Sequence, residues 1–177
     1  MNDLNIATSP YNVMAVSIEE RFDPFIRVNS TLLNNMTFKV DYKTTRNVSL
    51  NIASYQIVET TSAEVSANIG YRLDNFNKII KFPRKTNPNF NNELRISGGL
   101  SYRTNQSLNR KIQDGFTQPT TGNSQTMINL TADYTLSKMI TLQAYFDRQV
   151  SRPLVSATSF PQAKSAFGVS LKVSLLQ

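Results

Sequence analysis

The chain has 177 residues, with 19 lysines and arginines against 12 acidic residues and a formal net charge of +7. It contains no histidine and no cysteine, which excludes a Ser-His-Asp triad, a cysteine nucleophile and the usual zinc ligands. Apolar residues make up 40% of the chain, and asparagine, serine, threonine and glutamine together account for 63 of the 177 residues. This excess of uncharged polar residues over charged ones is unusual for a soluble protein with an apolar core.

No segment of the sequence is suited to cross a membrane as a helix or to direct secretion. The longest unbroken apolar run is 13–16, whereas a membrane-spanning helix needs roughly 20 apolar residues. The first five residues have neither a basic start nor an apolar stretch, so no secretory signal is predicted. We therefore expect either a cytoplasmic protein or a fragment whose signal lies upstream.

Apolar and polar residues alternate with a period of two along nearly the whole chain, which predicts β-strands. Two weaker strands are predicted near 11–20 and 25–33. Stronger alternation predicts strands over 36–52, 63–73, 93–104, 128–136, 140–146 and 167–175, and the parity of 93–104 persists through 105–113. The predicted fold class is all-β, an antiparallel up-and-down meander of about eight long strands.

The predicted connections differ sharply in length. Asn34-Asn35 and Ser137-Lys138 are expected to be tight turns, whereas 114–123 and 151–164 are expected to be long polar loops. If the strands simply alternate in direction, the two tight turns lie at one end of the sheet and the two long loops at the other. This arrangement is typical of outer-membrane barrels, which have short periplasmic turns and long outer loops.

Residues 74–92 interrupt the alternation and are predicted to be a basic loop insertion. The segment contains two prolines and four basic residues, Lys78, Lys81, Arg84 and Lys85. Strand parity puts this loop at the end that carries the tight turns. Either it is a periplasmic insertion, or one strand has been miscounted through a missed turn at 44–47.

Long alternating strands fit a lipid environment for a physical reason. Lipid cannot hydrogen-bond a peptide group, so a β-structure in a bilayer must pair its strands and present apolar side chains outward, while its other face can be polar. Tyrosines on the apolar parity lie towards strand ends, where an interfacial aromatic girdle is expected: Tyr42, Tyr71, Tyr102 and Tyr134. The alternative is cross-strand packing in a soluble sheet.

No residue constellation predicts catalysis, a cofactor or a metal site. Asp133 and Asp147 lie on the polar parity of adjacent strands, and we interpret them as solvated side chains. Gly98-Gly99 lies within a strand pattern with no following helix, so it marks a close approach or bend and not a phosphate-binding loop. Lysines and arginines are scattered, without the dense patch expected of a nucleic-acid-binding protein. The protein is predicted not to be an enzyme.

Several short segments stand out in order along the chain: Arg46-Asn47-Val48-Ser49-Leu50, Tyr71-Arg72-Leu73-Asp74-Asn75-Phe76, Thr117-Gln118-Pro119-Thr120, Ala132-Asp133-Tyr134, Phe146-Asp147-Arg148, Ser159-Phe160-Pro161 and Phe167-Gly168-Val169-Ser170-Leu171. In their order and spacing they resemble the C-terminal region of the SprA/Sov family, the outer-membrane translocon of the type IX secretion system, also called the gliding-motility cell-surface protein. The resemblance covers nearly all of residues 1–177, but only the last part of a much larger family member.

The resemblance implies a segment of a very large single-chain barrel that exports folded cargo proteins to the cell surface. The implied partners are the rest of the same barrel chain, outer-membrane lipid, cargo with a C-terminal secretion domain, a shuttle barrel and a periplasmic plug protein. No functional residue is carried over from the family. The chain ends in Leu175-Leu176-Gln177 and not in the terminal aromatic residue common among outer-membrane barrels. Residues 167–177 are nevertheless expected to form the closing strand.

Two alternatives share part of this pattern. A segment of another outer-membrane transport barrel would show the same alternation, and only the ordered segments distinguish it. A soluble β-sandwich binding module would pack the apolar faces of two sheets against each other and would be soluble without detergent. A barrel segment on its own is expected to be an open sheet with exposed edges and an exposed apolar face, and therefore to aggregate.

Overall fold

A computed structural model describes residues 13–32, 35–74, 76, 92–113, 115–137, 139–155 and 160–174. All the regular elements that lie wholly within these ranges are β-strands. The strands run antiparallel in chain order in a single sheet, so the predicted all-β meander is confirmed. They are β1 (Ala15–Leu32), β2 (Met36–Asn51), β3 (Gln56–Asp74), β4 (Glu93–Lys111), β5 (Phe116–Thr135), β6 (Ile140–Pro153) and β7 (Gln162–Val173).

The described residues contain seven strands and not about eight, because the two weak strands predicted near 11–20 and 25–33 form the single strand β1. The alternation changes around Pro24, which made one strand look like two. In the structure, the pairing with β2 shifts register between Phe22 and Ile26 and then resumes through Leu32. The suspected turn at 44–47 is absent, since β2 pairs without interruption from Met36 to Asn51.

The prediction of a long polar loop at 114–123 is wrong. β5 begins at Phe116, and its first residues pair with the end of β4 as far as Lys111. Pro119 is accommodated at a register irregularity opposite Leu108, where the pairing with β4 shifts. The loop predicted over 151–164 is also shorter than expected, because β6 continues to Pro153 and β7 begins at Gln162.

The sheet has two ends, which we call the Asn35 end and the Tyr55 end after residues in their turns. The Asn35 end carries the connections after β1, β3 and β5, and the Tyr55 end carries those after β2, β4 and β6. The two predicted tight turns do lie together at the Asn35 end. The Tyr55 end, however, also has short connections, at 52–55 and 112–115, so loop length does not distinguish the ends as predicted. The basic loop 74–92 lies outside the described residues, except for Asp74, Phe76 and Asn92.

No hydrophobic side chain is buried anywhere in the described part of the chain. The only buried side chains in that part are polar, Asp41 and Asn92. Apolar residues near the middle of the central strands are about half exposed: Ile69 is 45%, Leu100 51% and Leu130 48% exposed. The described residues therefore form one layer, and they do not adopt the two-layer architecture of a sandwich.

Tyr145 of β6 lies over Gly168 of β7 and occupies the space that a side chain at residue 168 would need. The two residues are register partners, and a Cβ atom at residue 168 would lie 2.6 Å from the tyrosine oxygen and 2.7 Å from its ring carbons. We expect Gly168→Val to lower the free energy of unfolding of the intact protein in urea by about 0.5–1 kcal/mol, because the tyrosine ring must move and its cross-strand contact is lost. In the double variant that also carries Tyr145→Ala, most of the loss caused by Gly168→Val should disappear. If the losses of the two single variants simply add up in the double variant, the contact between the two residues is contradicted.

Candidate membrane-facing surface

One face of the sheet is apolar across all seven described strands. The register aligns one apolar residue from each strand in a single row: Leu32, Met36, Tyr71, Ile96, Ala132, Ala144 and Val169. The neighbouring row on the opposite face is largely polar or glycine: Thr31, Thr37, Gly70, Ser97, Thr131, Tyr145 and Gly168. We call these two surfaces the apolar face and the polar face. They arise because successive side chains in a strand point to opposite sides.

The apolar side chains form a band next to the Asn35 end. On each strand the band spans about seven to eleven residues, or roughly 25–35 Å at about 3.3 Å per residue. A tilted strand needs about 9–11 residues to cross the hydrocarbon core of a bilayer. The band, which we call the apolar band, covers 22–32 of β1, 36–42 of β2, 63–73 of β3, 94–102 of β4, 128–136 near β5, 140–146 of β6 and 167–173 of β7.

The apolar band is slanted relative to the rows of paired residues. On β1 its border towards the Tyr55 end is Phe22, which is opposite Thr44 of β2. On β6 that border is Phe146, whose row passes through Leu130, Gly98 and Ile69 to Phe38. Counted along β2, the border thus moves by about six residues, from Thr44 to Phe38, between β1 and β6, which are five strand spacings apart. With the usual rise per residue and distance between strands, the border makes an angle of roughly 40° with the rows of paired residues. The strands of outer-membrane barrels are tilted by about 35–45°.

Charge is partitioned between the two faces. Strand parity and pairing register show which described residues of the apolar band lie on the apolar face, and none of those residues is charged. Charged residues of the apolar face all lie nearer the Tyr55 end: Glu20, Arg46, Glu59, Arg110, Arg148 and Arg152. Arg46 lies 2.7 Å from Glu59 and 3.7 Å from Glu20, so the first three form one cluster.

At the level of the apolar band, the polar face carries a series of ion pairs. Asp41 is only 3% exposed and contacts Arg27 at 2.5 Å and Lys39 at 3.0 Å. Arg103 of β4 pairs with Glu64 of β3. Close to the Asn35 end, Arg72 contacts Asp74 at 2.9 Å and Glu93 at 3.2 Å. Such charges would be costly in hydrocarbon, and on this face they neutralise one another.

Between the ion pairs the polar face is lined by small uncharged groups. Ser97 and Thr131 share a hydrogen bond across β4 and β5, and Thr60 and Ser107 do so across β3 and β4 at 3.2 Å. An open depression of about 530 Å³ crosses the face, lined by Asn29, Thr37, Asn68, Gly99 and Asn129 among others. A Cβ atom at Gly99 would lie 2.9 Å from the Asn68 side-chain oxygen, which confirms the close approach predicted for this glycine.

The two aspartates and the four tyrosines considered in the sequence analysis lie on opposite faces of the sheet. Asp147 accepts a hydrogen bond from Asn129 at 2.8 Å, and Asp133 lies in the same row as Arg95 and Gln143, so both carboxylates are on the polar face. Tyr42 and Tyr102 lie in one row at the border of the apolar band towards the Tyr55 end, with Val65 between them. Tyr71 and Tyr134 lie near its other border.

The sequence interpretation missed several aromatic residues at the same borders. Phe22 and Phe25 pack edge to face with ring centroids 5.5 Å apart, and Phe25 lies 6.2 Å from Tyr42. Phe146 and Phe167 are register partners at the border on β6 and β7. Towards the Tyr55 end, the next residue on the same parity is polar for three of these phenylalanines: Glu20 follows Phe22, Arg148 follows Phe146 and Ser165 follows Phe167. That position was the signal in the sequence.

Within the described ranges, no three His, Cys, Asp or Glu side chains are grouped so that they could hold a metal ion. The same residues include no helix of the length and apolar character needed to cross a membrane. No family model matches the chain, and a search of curated proteins finds no significant match.

Proposed function

We propose that these strands are part of the wall of an outer-membrane β-barrel, with the apolar face against lipid and the polar face towards the lumen. The observation that carries this proposal is the uncharged, slanted apolar band, which has no covering layer in the described structure and lies opposite an ion-paired polar face. In a soluble protein such a surface would have to be buried against a second layer, whereas a bilayer covers it directly.

The open edges of the sheet support the proposal that the wall continues beyond these strands. In the described residues β1 pairs only with β2, and β7 pairs only with β6, so each has one edge without a strand partner. An edge in lipid would leave a row of peptide groups without hydrogen bonds. Seven strands are also fewer than the eight of the smallest bacterial barrels. We infer that the rest of the same barrel chain supplies the missing strands.

We further propose that the barrel is a protein translocon that exports folded cargo to the cell surface. This finer proposal rests on the ordered segments that resemble the SprA/Sov family, several of which lie in β2, β3, β6 and β7. The polar face is compatible with it, because small uncharged groups and several ion pairs line this face. Cargo with a C-terminal secretion domain, a shuttle barrel and a periplasmic plug protein are the partners proposed on the same resemblance.

Depletion of the intact natural protein in its own cells tests both levels of the proposal. We expect the protein to fractionate with outer membranes and its loss to leave secreted cargo trapped in the periplasm. If it fractionates with outer membranes but cargo still reaches the surface, the translocon is refuted and another transport barrel remains. A protein recovered in the soluble fraction would contradict the barrel itself.

A further inference from the structure

Three arginines of the apolar face have no carboxylate partner within the described part of the chain. Arg110 of β4 and Arg148 and Arg152 of β6 are exposed and take part in no described ion pair. The other described arginines are each paired with an aspartate or glutamate: Arg21, Arg27, Arg46, Arg72, Arg95 and Arg103. The three arginines therefore stand apart from the other described arginines in having no described counter-charge.

Arg148 and Arg152 continue directly from the apolar band. Phe146 is the last residue of the band on β6, and Arg148 is the next residue of that strand on the same face. Arg152 follows two positions further along the face, beyond Val150. Arg110 is on another strand and lies four same-face positions beyond Tyr102, the band's last residue on β4, compared with one position beyond Phe146 for Arg148 and three for Arg152. Arg148 is therefore the arginine nearest the band, and Arg152 lies on the same strand and the same face as Arg148.

Hydroxyl groups lie beside both arginines. Ser165 of β7 is the register partner of Arg148, and Ser124 of β5 is the register partner of Arg152. Directly opposed residues have Cβ atoms about 4.5–5.5 Å apart, which brings a guanidinium and a hydroxyl within reach of one anion. Guanidinium groups bind phosphate through two parallel N–H donors, and the Ser165 hydroxyl can donate a third hydrogen bond beside Arg148. The Ser124 hydroxyl instead donates to the backbone oxygen of Arg152 at 3.4 Å.

We propose that Arg148, together with the hydroxyl of Ser165, and Arg152 bind the phosphate groups of anionic lipids at the membrane surface. This inference rests on the proposed barrel, because it requires lipid against the apolar band. The occupant must be apolar where it meets Phe146 and negatively charged one residue pair further along the strand. An anionic lipid has this order of acyl chain and phosphate, whereas a folded protein partner would have to supply an apolar surface and unpaired carboxylates in the same order.

Photo-crosslinking from one position between the arginines tests the proposal locally. The intact protein, carrying Val150→p-benzoylphenylalanine, is reconstituted in vesicles of equal parts phosphatidylglycerol and phosphatidylcholine, and the adducts are identified by mass spectrometry. We expect the anionic lipid to be captured about fivefold or more over the zwitterionic one, since one arginine near an anionic surface contributes about that factor. R148Q/R152Q should bring the ratio close to one.

A matched control removes two positive charges from the other face. Lys164 and Lys172 of β7 lie on the polar face and take part in no described ion pair, so K164Q/K172Q should leave the lipid ratio unchanged. Where R148Q/R152Q does not assemble, R148K/R152K keeps the charge and should retain the preference. The inference is overturned if the probe at residue 150 captures the two lipids equally while both arginines are unchanged, or if it captures a protein in place of lipid.

A second probe separates this inference from the proposed barrel. A p-benzoylphenylalanine in place of Leu130 lies within the apolar band of β5 and should capture lipid acyl chains without a preference for either headgroup. If the probe at residue 130 captures lipid but the probe at residue 150 shows no preference, only the phosphate-binding inference fails. If the probe at residue 130 captures no lipid, the proposed barrel fails as well.

Discussion

Leu100→Arg should remove the intact protein from the outer membrane, whereas Ser101→Arg should leave its level there nearly unchanged. Leu100 lies on the apolar face in the apolar band of β4 and is 51% exposed, with no covering layer in the described structure. Ser101 is the next residue of the same strand and lies on the polar face, in the row of Ser66 and Met127. An arginine on the lipid face of a barrel costs up to about 2–4 kcal/mol, the cost at the bilayer midplane, but a lumen position remains in water.

The amount of protein that floats with outer membranes and resists extraction by urea measures this difference. The two variants have the same charge and differ by one position in the same strand, so changes in expression or net charge affect both alike. Equal losses in the two variants would show that strand β4 tolerates no arginine at all. A loss confined to Ser101→Arg would reverse the assignment of the two faces.

Deletion of residues 167–177 should abolish membrane assembly of the intact protein. Most of β7 lies in this range, and Phe167 to Val173 pair in register with Phe146 to Ile140 of β6. Without β7, the peptide groups on that edge of β6 lie at the level of the apolar band with no hydrogen-bond partner. Each unsatisfied group costs several kcal/mol in hydrocarbon, so the loss far exceeds the stability of an ordinary domain.

Replacement of the same residues by an alternating valine and threonine segment of equal length is the control. It keeps the apolar parity and the backbone hydrogen bonds while removing the native side chains. We expect this variant to assemble, with surface exposure of the protein as the measurement. Normal surface levels after the deletion refute the requirement for β7, and failure of both variants shows that the native sequence of the segment is needed in addition to its strand.

The sequence was sufficient for the strands whose two faces differ in chemistry. β3 is an example, because its alternation from Ala63 to Leu73 predicts that every second side chain lies on the apolar face. The structure keeps that parity throughout this range. The expectation that Gln106 and Leu108 extend β4 also holds, since both pair with β3. Parity is a local property of the chain, so it is readable without knowledge of the neighbouring strands.

The beginning of β5 was missed because its strand character depends on its neighbour. Residues 116–123 contain Gly122, Pro119, three threonines and one glutamine, with no apolar alternation, and local composition therefore favours a loop. In the structure the segment is extended because β4 offers it a long row of hydrogen-bonding partners. Cross-strand pairing of this kind overrides local propensity and leaves no mark in the sequence of one strand alone.

The candidate surface was predictable in kind but not in outline. Alternation alone indicates which residues share a face, but the slant of the apolar band appears only once Phe22 and Phe146 can be compared through the pairing register. The same holds for the charges. Glu64 and Arg103 are far apart in the chain, and only the pairing of β3 with β4 brings them together.

Spin-label accessibility along β4 is the most direct test of whether lipid covers the apolar face. The chain contains no cysteine, so single cysteines introduced in turn at Ile96, Ser97, Leu100 and Ser101 can be labelled with a nitroxide, in a background without other cysteines. In reconstituted vesicles, labels at 96 and 100 should collide more with oxygen, which concentrates in lipid, and labels at 97 and 101 more with a water-soluble nickel complex. Labels at 96 and 100 that are shielded from both reagents would mean that protein covers this face, and the proposed lipid-facing barrel wall would be wrong.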